Sequence, residues 1–203
     1  MMTKNDLCLR VRTRSGLWRL LLQEGVCVPS RVECMLRTAL EQGMGFPRED
    51  VETRMEAIFL DGRPVDDIDA ARLHDGARLS LATALPGAAG IAMRRNSPYA
   101  ALRSAITHHE QGGGTEARNA SADAPRQGRV HLRLFNLVMR DHAARLLAAG
   151  VEAPAGGVAR YLAGDEAGEV WLDDARCERE AALRRLAEHP DGSVRLVVEI
   201  AEA

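Results

Sequence analysis

The chain is poor in aromatic side chains, which make up only 3% of its 203 residues. Extended platforms for stacking the bases of a single strand are therefore lacking, and the cores have to be built from Leu, Val, Ile and Ala. A surplus of one charge is also missing. The formal net charge of −2 supplies no global attraction for phosphate backbones, although Arg greatly outnumbers Lys and can cluster locally. Nucleic acid is accordingly a poor candidate partner. No apolar run reaches transmembrane length, so no membrane partner is expected. Met1–Asp6 is polar and lacks the apolar core and small-residue cleavage site of a signal peptide. Cysteine is scarce: Cys8, Cys27, Cys34 and Cys177 form no Cys-x-x-Cys pair and have no matching His pair. A reducing, cytoplasmic setting is expected.

What is present has the balance of a globular protein, with 46% hydrophobic and 28% charged residues. The composition changes sharply between Gln111 and Gly128, where Gly, Ala, Ser, Asn and Gln dominate and Gly112-Gly113-Gly114 occurs. Such a segment buries too little apolar surface to offset its ordering entropy, so it reads as a flexible linker. The expected division is residues 1–90, a helical extension over 91–110, the linker over 111–128, and a second small domain over 129–203.

In the first part, Leu7, Leu9 and Val11 alternate with Cys8, Arg10 and Arg12, the period of a half-buried strand. Thr13–Gly16 supplies a turn, and Leu17–Leu22 reads as the returning strand of a hairpin. Ser30-Arg31-Val32-Glu33 has the form of a capping box, so a helix is expected from there to Gly43, with Val32, Met35, Leu36, Ala39 and Leu40 on one face. Met55–Leu60 reads as a strand, Asp61-Gly62 as a turn, Ile68–Leu73 as a short helical turn, and Ala77–Ala82 as a last strand after Asp75-Gly76.

That order, with Phe59-Leu60-Asp61-Gly62-Arg63-Pro64-Val65, Leu73-His74-Asp75-Gly76-Ala77-Arg78-Leu79 and Ala84-Leu85-Pro86-Gly87-Ala88-Ala89-Gly90, resembles the β-grasp (ubiquitin-like) superfamily. Within it, the likeness is greatest to the small sulfur carriers of molybdopterin and thiamine synthesis, and it covers Leu7 to Gly90. The resemblance implies a tail that is adenylated and thiolated at the carboxylate of a final glycine. The chain departs from that pattern by carrying Ala89-Gly90 where carriers have two glycines, and by continuing past Gly90. Either it is cut near Gly90, making Gly87, Ala89 and Gly90 a processing site, or it is an uncharged relative. Beyond it, Asn96 or Ser97 caps a helix with Pro98 at its first position and Tyr99, Leu102, Ala105 and Ile106 on one face. Arg94, Arg95 and Arg103 flank that helix. They either form a basic arm that meets a partner or stay solvated around a helix packed on the sheet.

In the second part, Val130–Leu134 reads as a strand, Asn136–Ala149 as a capped helix, Val170–Leu172 as a strand, Arg176–Glu188 as a helix and Val194–Ile200 as a strand. Val158–Leu162 is ambiguous. As a strand it makes the unit ferredoxin-like; as a helix it leaves a three-stranded α/β layer. The fold class is α+β, a β-grasp domain followed by this smaller layered domain.

Chemistry is thinly signalled. His108-His109-Glu110, Asp66-Asp67-Ile68-Asp69 and Asp173-Asp174 match no metal-site spacing, and Asp174 reads as a helix cap. Cys34 and Cys177 each fall one turn into an expected helix, where the dipole favours thiolate, so they are the candidate reactive thiols. No cofactor and no metal are expected. The leading reading is a non-enzymatic interaction or adaptor protein with an unidentified protein partner. The sulfur-carrier relative comes second, and a cysteine- or metal-dependent enzyme third.

Overall fold

A computed structural model of the chain describes residues 7–95, 97–103, 106–108, 125–166 and 168–201. The expected caps and ligands Asn96, His109 and Glu110, the helix-face residue Ala105, and linker residues 111–124 lie outside these. Helices and strands are both abundant, as α+β requires. Contacts gather the chain into two compact units, one of residues 1–27 with 139–203 and the other of residues 28–138. These limits differ from the expected ones at 90 and 128.

In chain order, strand β1 (Leu7–Thr13) leads into a 3-10 turn over Gly16–Leu20 and helix α1 (Leu21–Glu24). Strand β2 (Val26–Val32) and the short β3 (Cys34–Met35) follow. Helix α2 (Leu36–Thr38) continues as a wider π turn over Ala39–Gly43 and is followed by α3 (Arg48–Thr53). Then come β4 (Ala57–Leu60), β5 (Arg63–Pro64), β6 (Arg72–Leu73) and β7 (Arg78–Ala82). Helix α4 (Gly87–Met93) and a 3-10 turn at Ala100–Arg103 precede β8 (Arg126–Leu134) and α5 (Asn136–Ala149). The chain closes with β9 (Val151–Pro154), α6 (Ala155–Gly164), β10 (Glu169–Leu172), β11 (Ala175–Cys177), α7 (Arg179–Ala187) and β12 (Ser193–Ile200).

In the first unit, the strands run in the order β11-β10-β1-β12-β9. The central pair, β1 and β12, is parallel, with Leu9 opposite Leu196 and Val11 opposite Val198. Strands β10 and β9 flank it antiparallel. The expected hairpin between Leu7–Val11 and Leu17–Leu22 is not formed, because residues 16–24 are helical. The Ser15 hydroxyl accepts the Leu17 amide, and Trp18, Leu21 and Leu22 are buried at helical spacing. Val158–Leu162 lies in α6, with Val158 and Leu162 fully buried, which decides the ambiguity in favour of helix and removes the condition for a ferredoxin-like order. Asp174 is not a helix cap. Asp173 and Asp174 both have positive φ (48° and 66°) and make the two-residue turn between β10 and β11.

The buried polar centre of this unit is Asp165, 2% exposed. It accepts the Trp18 indole Nε1–H at 2.7 Å and the Thr13 hydroxyl at 3.0 Å. Tyr161 lies with its ring centroid 6.0 Å from that of Trp18 and donates its hydroxyl to Glu24. Burial, with the Glu24 hydrogen bond and charge, pushes the Tyr161 phenol up to about 12.

In the second unit, the sheet order is β2-β8-β7-β4-β5. Strands β7 and β8 are parallel, with Leu79 opposite Leu132 and Leu81 opposite Leu134. Strand β4 pairs antiparallel with both β7 and β5, while β3 and β6 form a separate small pair. The expected capping box is instead the end of β2. Val26, Val28, Ser30 and Val32 are buried at period two, and Glu33 turns the chain in the left-handed region with φ of 57°. The helix starts at Leu36, and Leu36, Ala39 and Leu40 have no measurable exposure. Gly128, which the sequence assigns to the linker, sits within β8. A Cβ there would meet Val32 Cγ2 at 2.5 Å and Asp75 Oδ1 at 2.7 Å. Only glycine permits that approach.

Candidate interaction surface

The segment after β7 is held to the second unit by cations that point inward. Arg103 is 3% exposed and uses all five of its N–H donors. Two go to the Asp66 carboxylate (2.6 and 3.1 Å), one each to the carbonyls of Ala92 (2.5 Å) and Arg94 (2.9 Å), and one to the Thr107 hydroxyl (2.9 Å). A buried guanidinium is tolerable only when its charge and every donor are met, and here both conditions hold.

Arg95 donates through Nη1 to the carbonyls of Val51 and Met55 and through its amide to Glu56. Burial pulls its guanidinium below the usual arginine value, as expected where carbonyl dipoles replace water. Arg94 Nε lies 3.2 Å from a Glu56 carboxylate oxygen, close enough for ionic attraction without hydrogen-bond geometry. Thus Arg95 and Arg103 are neither a projecting arm nor solvated. The same segment turns apolar groups outward: Ile91, Tyr99 and Ile106 are 41%, 53% and 49% exposed.

The expected tail is helical. Gly87 starts α4 with φ of +77°, Ala89 is exposed, and Gly90 is buried where a Cβ would collide with the Leu85 carbonyl. The backbone around residue 90 is therefore coiled and packed. A protease needs it extended.

The two candidate thiols are in strands, not helices. Cys34 is buried in β3 opposite Leu73, and burial pushes its thiol up against the lowering effect of Arg72 and Arg31. Cys177 ends β11, and burial, reinforced by Glu178, raises it too. Neither has the helix-dipole help that the sequence suggested, and both shifts oppose thiolate formation. The carboxylates of Asp66, Asp67 and Asp69 are taken up by Arg103, by the amides of Asp69 and Ala70, and by Arg37 respectively. Among the described residues no group of three or more His, Cys, Asp or Glu could hold a metal ion.

A second charged feature lies at the end of the β7–β8 pair. His74 Nε2 is 2.8 Å from Asp61 Oδ2, and Nδ1 is 2.9 Å from the Asp75 carbonyl. Both partners are acceptors, so both ring nitrogens are satisfied together only in the imidazolium. The Asp75 carbonyl and Asp61 carboxylate accordingly raise the His74 value above its ordinary one. Burial pushes Asp61 up, yet the Arg78 amide and His74 outweigh it and hold the carboxyl low. Asp75 in turn accepts the Arg129 amide through its side chain, and the Gly76 amide donates to the Arg129 carbonyl, tying this turn to β8.

The first unit contains a cleft of about 410 Å³ lined by Arg185, Leu186, His189, Pro190, Asp191 and Ser193 among others. Arg185 is paired to Glu188, and the carbonyls of Pro190 and Gly192 accept the first two amides of α6.

Sequence reasoning identified Arg94, Arg95 and Arg103 but missed Asp66 as the partner of the buried Arg103, since a contact spanning 37 residues leaves no local pattern. No helix among the described residues is long and apolar enough to cross a membrane. Comparison with protein-family models, curated proteins and solved structures gives no match to the chain.

Proposed function

We propose that this chain is a non-enzymatic interaction protein whose second unit is a β-grasp domain completed by β8 in place of β1. The supporting fold observation is a mixed sheet with a parallel pair at its centre (β8 and β7), followed outward by β4 and β5, with helix α2, whose Leu36 is buried, between β2 and β4 in the chain. The observation that carries the functional reading is the inverted polarity of the described residues between 87 and 107. Arg95 and Arg103 turn inward, Arg103 with every donor bonded, while Ile91, Tyr99 and Ile106 face solvent. Anchoring a segment by its charges and leaving large apolar side chains outside costs solubility, and an occupied protein interface is the usual compensation.

The test is capture of partners from native lysate by the intact chain and by a variant carrying Ile91→Asp, Tyr99→Asp and Ile106→Asp. The expected result is a partner retained by the wild type and lost by the variant at unchanged melting temperature. Equal capture by both proteins counts against the reading.

Kinship with sulfur carriers has one observation in its favour, the same sheet order. The helical, buried setting of Gly90 favours the uncharged version of that kinship, since cleavage and threading into an activating enzyme both need an extended tail. Intact mass of the protein from its own cell is expected to show one full-length species, whereas a species ending at Gly90 supports processing.

A further inference from the structure

Strands of the second unit bury Leu79, Leu81, Val130, Leu132 and Leu134 on one face and turn Arg78, His131 and Arg133 to the other, where all three are exposed. The parallel register sets Arg78 directly beside His131 and Ser80 beside Arg133, and β4 adds Phe59 beside Ser80. Several other arginines of this unit lie against carboxylates: Arg37 against Asp69, Arg94 against Glu56, Arg103 against Asp66, and Arg126 against Glu33 and Asp75. Among the described residues no carboxylate pairs with the side chains of Arg78, His131 or Arg133. Asp61 is already engaged by His74 and the Arg78 amide. Bases set directly opposite each other on neighbouring strands repel when both are charged, so this row is not explained by stability.

We propose that this face binds an extended acidic segment of a partner polypeptide. In a strand, residues two apart lie ~6.6 Å apart on one face and neighbouring strands ~4.8 Å apart. His131 and Arg133 have the first spacing and Arg78 is across the second, so carboxylates at alternate positions of an extended chain match them. A polynucleotide fits less well. Half-buried Phe59 is the one aromatic side chain on these strands, which leaves no stacking platform, and a net charge of −2 does not steer polyphosphate. The residues differ from those of the 87–107 surface, so either proposal can fail alone.

The experiment is fluorescence anisotropy of the intact chain with a labelled peptide of alternating Glu and Thr. An alternating Lys–Thr peptide and a single-stranded oligonucleotide of equal charge serve as comparisons. Saturable binding of the acidic peptide is expected, weakened by added salt and about tenfold by Arg78→Glu with Arg133→Glu. Arg78→Lys with Arg133→Lys should retain binding, and both variants should melt as the wild type does because the sites are exposed. Binding that is absent, unchanged in the Glu variant, or stronger for the oligonucleotide overturns the proposal.

Discussion

Arg103 and Asp66 show how much one pair can organise. Five hydrogen bonds converge on a side chain that is almost wholly buried, and all of them go to residues 66, 92, 94 and 107, which it gathers around one point. Arg103 is the buried member and Asp66 is 31% exposed, so removing the carboxylate is what strands a charge, at a cost of about 3–5 kcal/mol, while replacing both by apolar groups costs much less. Asp66→Leu should therefore destabilise the chain strongly in urea unfolding, and Arg103→Met in addition should restore part of the loss. If the double variant is as unstable as the sum of the single ones, the pair is not coupled as described. His74 supports a pH prediction. Its value is raised in the folded protein, so its contribution is fully present below the unfolded value of about 6.5 and is lost as pH rises through the raised folded value. The stability gap between wild type and His74→Gln should be level from pH 5 to about 6.5 and shrink from there toward pH 8.5, and a gap that stays constant across the whole range would contradict the double-acceptor geometry.

Elements differ in how openly they announce themselves. Strands with strict alternation, such as Leu9-x-Val11 and Val130-x-Leu132-x-Leu134, were legible because one residue in two is buried, although Thr13, expected in a turn, still belongs to the first of them. The helix at 16–24 was misread as a strand. Its signal, Trp18 with Leu21 and Leu22, lay within an apolar run too short to settle its period. Ser30-x-x-Glu33 satisfied the capping rule, yet the β-branched alternation of Val26, Val28 and Val32 prevailed. The inward turn of Arg95 and Arg103 was not legible at all, since it depends on acceptors in other elements. Gly128 tests the element view directly. Substituting Val there should drive β8 off Val32 and Asp75, costing about 1–3 kcal/mol in thermal or urea melts. Wild-type stability would show that the approach is not tight.

Across the molecule, the period of a strand declares that a strand exists but not which strand lies beside it. Leu9 and Val11 fit equally well beside Leu79 and Leu81 or beside Leu196 and Val198, since all are apolar at period two. A β-grasp resemblance confined to residues 7–90 implies a partner within that span, the shorter loop that closure entropy favours. The structure pairs residues 7–13 with 194–200 and gives the place beside β7 to residues 131–134. That exchange underlies both the β-grasp reading of the second unit and the basic row, because His131 and Arg133 reach Arg78 only if β8 is there. The most direct measurement is a set of cross-strand NOEs on the isotopically labelled intact chain. The account predicts backbone contacts linking Leu79 to Leu132 and Leu9 to Leu196. Contacts linking Leu9 or Val11 to Leu79 or Leu81 would contradict it.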